Sequence, residues 1–127
     1  MSIAGIGTDI VEIERLSQMS ERALEKLKLR VLTPEEQQRY ESMKFPIPYL
    51  AKRWAAKEAA AKALGTGIAQ GVSFQDFQID NSDSGAPILK VTGVAAQIAK
   101  SKNANFWHIS LSDEKKYALA FVTLSSN

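Results

Sequence analysis

The chain has 127 residues, 45% hydrophobic and 24% charged, with 16 Lys+Arg against 14 Asp+Glu and a net charge of +2. Those proportions suit one globular domain and exclude a disordered chain, a polybasic coat or an acidic tail. With no Cys and a single His, disulfides, thiolate nucleophiles, Cys-ligated zinc, iron–sulfur clusters and a multi-histidine metal site within the chain are excluded.

Residues 2–11 read as a buried first strand built on Ile3, Ile6, Ile10 and Val11, with Gly5 and Gly7 permitting close backbone approach. A helical pattern follows through Ile13, Leu16, Ala23, Leu24, Leu27 and Val31, with a break near 17–20. Thr33-Pro34-Glu35-Glu36 starts a helix: Thr33 caps it, Pro34 suits its first position and Glu36 completes a capping box. That helix should end near Met43. The segment YLAKRWAAKEAAAKALGTG predicts the longest helix, from about Pro48 to a stop at Gly65. Residues 72–80 and 88–92 read as strands around a turn at 81–85, and 94–99 as a short helix. Residues 106–112 and 117–124 form the arms of a hairpin. The expected fold is α+β, a mainly antiparallel sheet packed against helices.

No run approaches the ~20 apolar residues that cross a bilayer. The amino terminus lacks a basic region, and its apolar run is broken at Asp9 and Glu12. A soluble, cytoplasmic protein with a single domain over 1–127 is expected.

Three constellations can carry chemistry. A carboxylate at Asp9, inside an apolar strand beside two glycines, is costly unless a cation or several donors compensate it. It reads either as a cap for the next helix or as a metal ligand. On the long helix, Trp54, Glu58, Lys62 and Gly65 share a face at spacings of four, four and three. Glu58 and Lys62 read either as a surface ion pair or as a ligand for a hard cation such as Mg²⁺ next to a lysine facing an anionic substrate. Lys44, Lys52, Arg53, Lys57 and Lys62 against Glu58 alone make 44–62 a +4 segment. It reads as a solvated face, or as a site for a phosphate-rich ligand or an acidic partner. The absence of an aromatic platform makes nucleic acid the weaker partner. Finally, alternation puts Trp107, Ile109 and Leu111 on one face of a strand and His108, Ser110 and Ser112 on the other. His108 is a structural residue or a donor to phosphate. No GxSxG elbow supports a Ser–His–acid hydrolase.

GTDIVEIERL, AKRWAAKEAAAKALGTGI and HISLSDEKKYALAFV, in that order and spacing, resemble the holo-(acyl-carrier-protein) synthase group of the 4′-phosphopantetheinyl transferases, single-lobe type. The resemblance covers nearly the whole chain, and its middle motif is highly specific. It implies transfer of 4′-phosphopantetheine from coenzyme A to a serine of apo-acyl carrier protein, for fatty acid biosynthesis, with release of adenosine 3′,5′-bisphosphate. By the same resemblance, Asp9 and Glu58 are Mg²⁺ ligands, and with Lys62 they form the catalytic set. Lys62 lies near the diphosphate. Arg53, the Gly65-Thr66-Gly67 turn, Pro87 and His108 approach coenzyme A. Arg15 meets the acidic carrier, with Arg22 and Lys26, and further Lys28 and Arg30, as additional contacts. The deprotonating group stays open between a metal-bound water, Glu58 and Asp9. Ala86, where the family is commonly basic, and Asp113, where it often has histidine, depart from the pattern.

Two other readings have weaker support. A non-catalytic binder of acidic proteins or nucleotides would not need both Asp9 and Glu58. A packing or oligomerisation protein leaves Asp9, Lys62 and His108 without a shared purpose. The chain is about half the size of the two-lobed transferases, so the resemblance implies a homotrimer with active sites between subunits.

Overall fold

An alanine-rich helix laid across an antiparallel sheet organises the chain. The structure, a computed structural model, describes all 127 residues. In order the elements are β1 (Ser2–Glu12), α1 (Ile13–Ser17), α2 (Glu21–Val31), α3 (Pro34–Ser42), α4 (Ile47–Leu64), β2 (Phe77–Asn81), β3 (Pro87–Val91), α5 (Gly93–Ser101), β4 (Ala104–Asp113) and β5 (Tyr117–Ser126). A one-turn 3₁₀ segment, Phe74–Asp76, precedes β2. No helix is long and apolar enough to cross a membrane.

The main sheet has the order β1-β5-β4, antiparallel throughout, and β2 and β3 form a separate hairpin. Trp107 of β4 meets Phe77 of β2 edge-on, with ring centroids 6.0 Å apart, and so joins the two sheets. Ala118, Ala120, Val122 and Leu124 of β5 face inward and are buried, as are the alanines of α4. The small side chains let helix and sheet approach closely.

That closeness explains a correction to the expected core. Val11 is buried, but Ile3, Ile6 and Ile10 are exposed on the outer face of the sheet. The inward positions of β1 are instead Gly5, Gly7, Asp9 and Val11, paired with Leu124, Val122, Ala120 and Ala118. A Cβ on Gly5 would stand 1.7 Å from the Ala63 carbonyl oxygen, and one on Gly7 would stand 1.9 Å from that of Ala59. Helix α4 rests on bare strand backbone there, and no side chain fits between them.

The other boundaries follow local chemistry. Thr33 and Glu36 form the expected reciprocal capping box, and Gly65 ends α4 at φ 92°. The strand expected from Val72 begins only at Phe77. A second capping box, Ser73 with Asp76, first folds the chain into the 3₁₀ turn. The Asp76 carboxylate also accepts from the Ala95 N–H at the start of α5.

Candidate active site

The cleft is built where α4 crosses β1, the edge strand of the main sheet. Asp9, Ile10, Val11, Arg15, Trp54, Glu58 and Lys62 line a cavity of about 290 Å³. The four-residue spacing on α4 puts Trp54, Glu58 and Lys62 along one wall, as read from the sequence. Gly7, two positions before Asp9, lets β1 carry that carboxylate to the same place. The Lys62 ammonium donates to Asp9 Oδ1 and to the Thr8 carbonyl, each at 3.0 Å. Its side chain is half exposed, so the pair is open to solvent and its ammonium can turn to a bound anion. Arg15 stacks over the Trp54 ring at 5.8 Å.

Partial burial raises the proton affinity of Glu58 above the ordinary carboxylate range, and the charge of Asp9 raises it further. Lys62, Arg30 and the Trp54 indole oppose that shift. Two carboxylates close enough to repel one another, on a cleft open to water, form a hard-oxygen donor set that a divalent cation would relieve. Two carboxylates are the number that Mg²⁺ takes beside waters and phosphate oxygens.

Other residues singled out in the sequence lie elsewhere. Arg53 is 5% exposed and turned away from the cleft. Its Nη2 donates to the Ile79 carbonyl at 3.5 Å and to Asn81 Oδ1 at 3.4 Å, and its guanidinium covers the Tyr49 ring at 4.5 Å. Asn81 pairs with Pro87 across the β2–β3 hairpin, so Arg53 and Pro87 meet at the turn end of that hairpin. His108 is exposed on the outer face of β4, opposite Thr123 and two strands from β1. The Gly65-Thr66-Gly67 turn closes α4 with the Gly65 and Gly67 N–H groups already donated to the Lys62 and Ala61 carbonyls. Arg22 and Lys26 are exposed on α2, whereas Lys28 is buried between Glu25 and Glu41 at 2.7 and 2.6 Å.

The +4 segment is not one solvated face. Lys57 is 0% exposed and meets Glu36 Oε1 and the Val31 carbonyl, each at 2.6 Å. Burial lowers its pKa, and Glu36 opposes the shift. This internal network escaped the sequence reading; its signal was a pair of cations four residues apart among alanines.

The sequence model of the 4′-phosphopantetheinyl transferase superfamily matches residues 5–122. The chain belongs to that superfamily. The holo-(acyl-carrier-protein) synthase of Photobacterium profundum is 50% identical over 126 residues, which cover 99% of this chain and 100% of that protein. Among solved structures, the holo-(acyl-carrier-protein) synthase of Neisseria meningitidis superposes with a TM-score of 0.90 at 38% identity, over 98% of this chain and 100% of that one. The Bacillus anthracis enzyme, solved in complex with CoA (3′,5′-ADP), gives a TM-score of 0.81 at 38% identity, over 98% of each chain. As a member of the 4′-phosphopantetheinyl transferase superfamily, the chain has an α+β fold that matches both structures closely.

Proposed function

We propose that the cleft between β1 and α4 transfers 4′-phosphopantetheine from coenzyme A to a serine of apo-acyl carrier protein. The convergence of Asp9, Glu58 and Lys62 in one cleft carries this reading, with the holo-(acyl-carrier-protein) synthase relatives behind it. The serine oxygen attacks the phosphorus that bears the pantetheine. The phosphoanhydride bond breaks, adenosine 3′,5′-bisphosphate leaves, and the serine proton passes to a base. Such a transfer rests on positioning and charge neutralisation rather than on a covalent nucleophile. Asp9 and Glu58 would hold Mg²⁺, which when bound neutralises charge on the diphosphate. Lys62, released from Asp9, offers its ammonium to the same oxygens. Arg15 flanks the cleft, and Arg22 and Lys26 extend the positive surface along α2 that suits an acidic carrier. A cytoplasmic setting and a role in fatty acid biosynthesis accompany this reading.

The test mixes the protein with apo-carrier, coenzyme A and Mg²⁺, with and without chelator, and weighs the carrier by mass spectrometry. We expect a phosphopantetheine adduct that chelation abolishes. A carrier of unchanged mass in every condition would refute the function, and an adduct indifferent to chelator would refute the metal.

We further propose a homotrimer whose cleft is completed by a neighbouring copy. The outer sheet face carries Ile6 and Ile10, each 58% exposed, beside Leu119 and Phe121. Contiguous exposed apolar surface of this kind marks an interaction face. The single-chain cleft, at about 290 Å³, sits at the lower edge of drug-sized pockets (about 300–1,000 Å³), and coenzyme A is larger than a drug. Pro87 and His108, which do not reach Asp9 in their own chain, would serve the neighbour's cleft, whereas Arg53 stays buried against Ile79, Asn81 and Tyr49. Phe121→Glu should convert a trimer to monomers in size-exclusion chromatography with light scattering, with loss of transfer. A monomeric parent protein would sink this assembly.

A further inference from the structure

We propose that the buried Glu36–Lys57 pair is a positioning element for the cleft: it sets the rotation of α4 so that Glu58 and Lys62 face Asp9. The proposal rests on the transfer function and adds to it two residues that touch neither substrate nor cation.

Helices lock against their neighbours when side-chain ridges enter grooves. Tyr49, Leu50 and Leu64 are buried near the ends of α4, but the buried apolar surface between them is almost wholly alanine and offers few ridges. Such a smooth helix resists displacement toward the sheet, where Gly5 and Gly7 touch its backbone. It resists rotation about its own axis far less. Directional polar contacts can supply that resistance, and they lie along one row of the helix, Arg53 and Lys57, four residues apart. The catalytic row, Trp54, Glu58 and Lys62, is offset from it by one residue, about 100° around the axis. Whatever fixes one row therefore aims the other.

Glu36 is the fixed point, 3% exposed at the start of α3. Its Oε1 accepts from the Thr33 N–H at 2.9 Å and from the Lys57 ammonium at 2.6 Å. Its Oε2 accepts from the Ile79 N–H of β2 at 3.0 Å and lies 4.0 Å from Arg53 Nε. With the Lys57 bond to the Val31 carbonyl at the end of α2, one carboxylate and one ammonium join α2, α3, α4 and β2. The row holds two cations against one anion, and buried ions of this kind commonly add no more stability than apolar side chains of similar volume. Direction is what an apolar trio would not provide.

The experiment uses the full chain and compares Glu36→Gln, Lys57→Met and the double variant with the parent. Rates are measured on apo-carrier and normalised to the folded fraction from circular dichroism. Glu36→Gln alone leaves the Lys57 charge buried without its counter-ion and should be the least stable. The double variant removes the charges of the pair but leaves Arg53 buried without its nearby anion, so it should regain only part of the lost urea midpoint. Its kcat should nevertheless stay down by about tenfold or more, the scale of a small misplacement of catalytic groups, with the KM for carrier within about twofold. In spectra of the ligand-free protein, the Trp54 indole N–H resonance, on the same face as Glu58, should move in the double variant. Activity that recovers in step with stability would overturn the proposal and leave a charge-balancing pair. If the double variant does not fold, Glu36→Gln carries the same test, and an unchanged normalised kcat overturns it. A parent protein that modifies no carrier would instead refute the transfer function, and the Trp54 resonance would still test the positioning.

Discussion

Gly7→Ala should cost this chain about 3 kcal/mol or more of stability, the upper range for overpacking, and most of its transfer activity. Glycine is needed there for space. A methyl group on Gly7 would stand 1.9 Å from the Ala59 carbonyl oxygen and 2.8 Å from the Ala63 nitrogen. Both are backbone atoms of α4, so no side chain can swing aside to make room. The strand and the helix must separate by about an ångström or more to reach ordinary contact distance. That separation opens the cleft directly, because Asp9 lies two residues beyond Gly7 on the same face of β1, and Glu58 and Lys62 flank Ala59 and Ala63 in sequence. A displacement of about 1 Å in a catalytic group costs roughly 10²-fold in rate. Urea unfolding and the carrier-modification rate, measured where the variant remains folded, check the two effects. A Gly7→Ala protein with parental stability would show that β1 and α4 are not in backbone contact.

The elements with punctuation of their own were legible. The Thr33–Glu36 box, the Gly65 stop and the alternation of Trp107, Ile109 and Leu111 each dictate a local conformation, and the structure has them where the sequence predicts. The buried face of β1 is not legible, because hydrophobicity and burial part company there. Isoleucines at 3, 6 and 10 are the natural candidates for a core. In this fold the core side of the strand must accept a helix backbone, which favours glycine over any branched side chain. The isoleucines are left for the outer face. The pairing of Asp9 with Lys62 is non-local, and apart from charge only the resemblance of their two motifs to the transferase family brings them together in the sequence. Glu36 shows another limit. A capping box accounts for that glutamate fully at the level of sequence, and its second use, as counter-ion to Lys57 and partner of Ile79, appears only once α3, α4 and β2 are packed together.

Glu58→Gln is expected to move stability and activity in opposite directions. In the ligand-free protein, burial and the Asp9 charge make the ionised Glu58 carboxyl less favourable than it is in the unfolded chain. A carboxyl whose proton is held more tightly in the fold contributes stability that is fully present below its unfolded pKa. That contribution is lost as pH rises through the higher folded value. Glutamine keeps the shape and lacks the charge, so the variant should match the parent near pH 4 and exceed it at pH 8. The gain at pH 8 should appear as a Tm above the parent's, and it should vanish near pH 4. Mg²⁺ with coenzyme A should reverse the order, since a ligand that binds only the folded state stabilises it by mass action, and the variant has lost one of the two carboxylates proposed to hold the cation. Transfer to carrier should fall by about 10²-fold or more, as the charge that balances the diphosphate is no longer held in place. Melting curves at both pH values, with and without Mg²⁺ and coenzyme A, separate the two effects. A variant less stable than the parent at pH 8 without ligands would mean that attraction to Lys62 and Arg30 outweighs burial and the repulsion from Asp9. A variant that the ligands stabilise as much as they do the parent would remove Glu58 from the cation site.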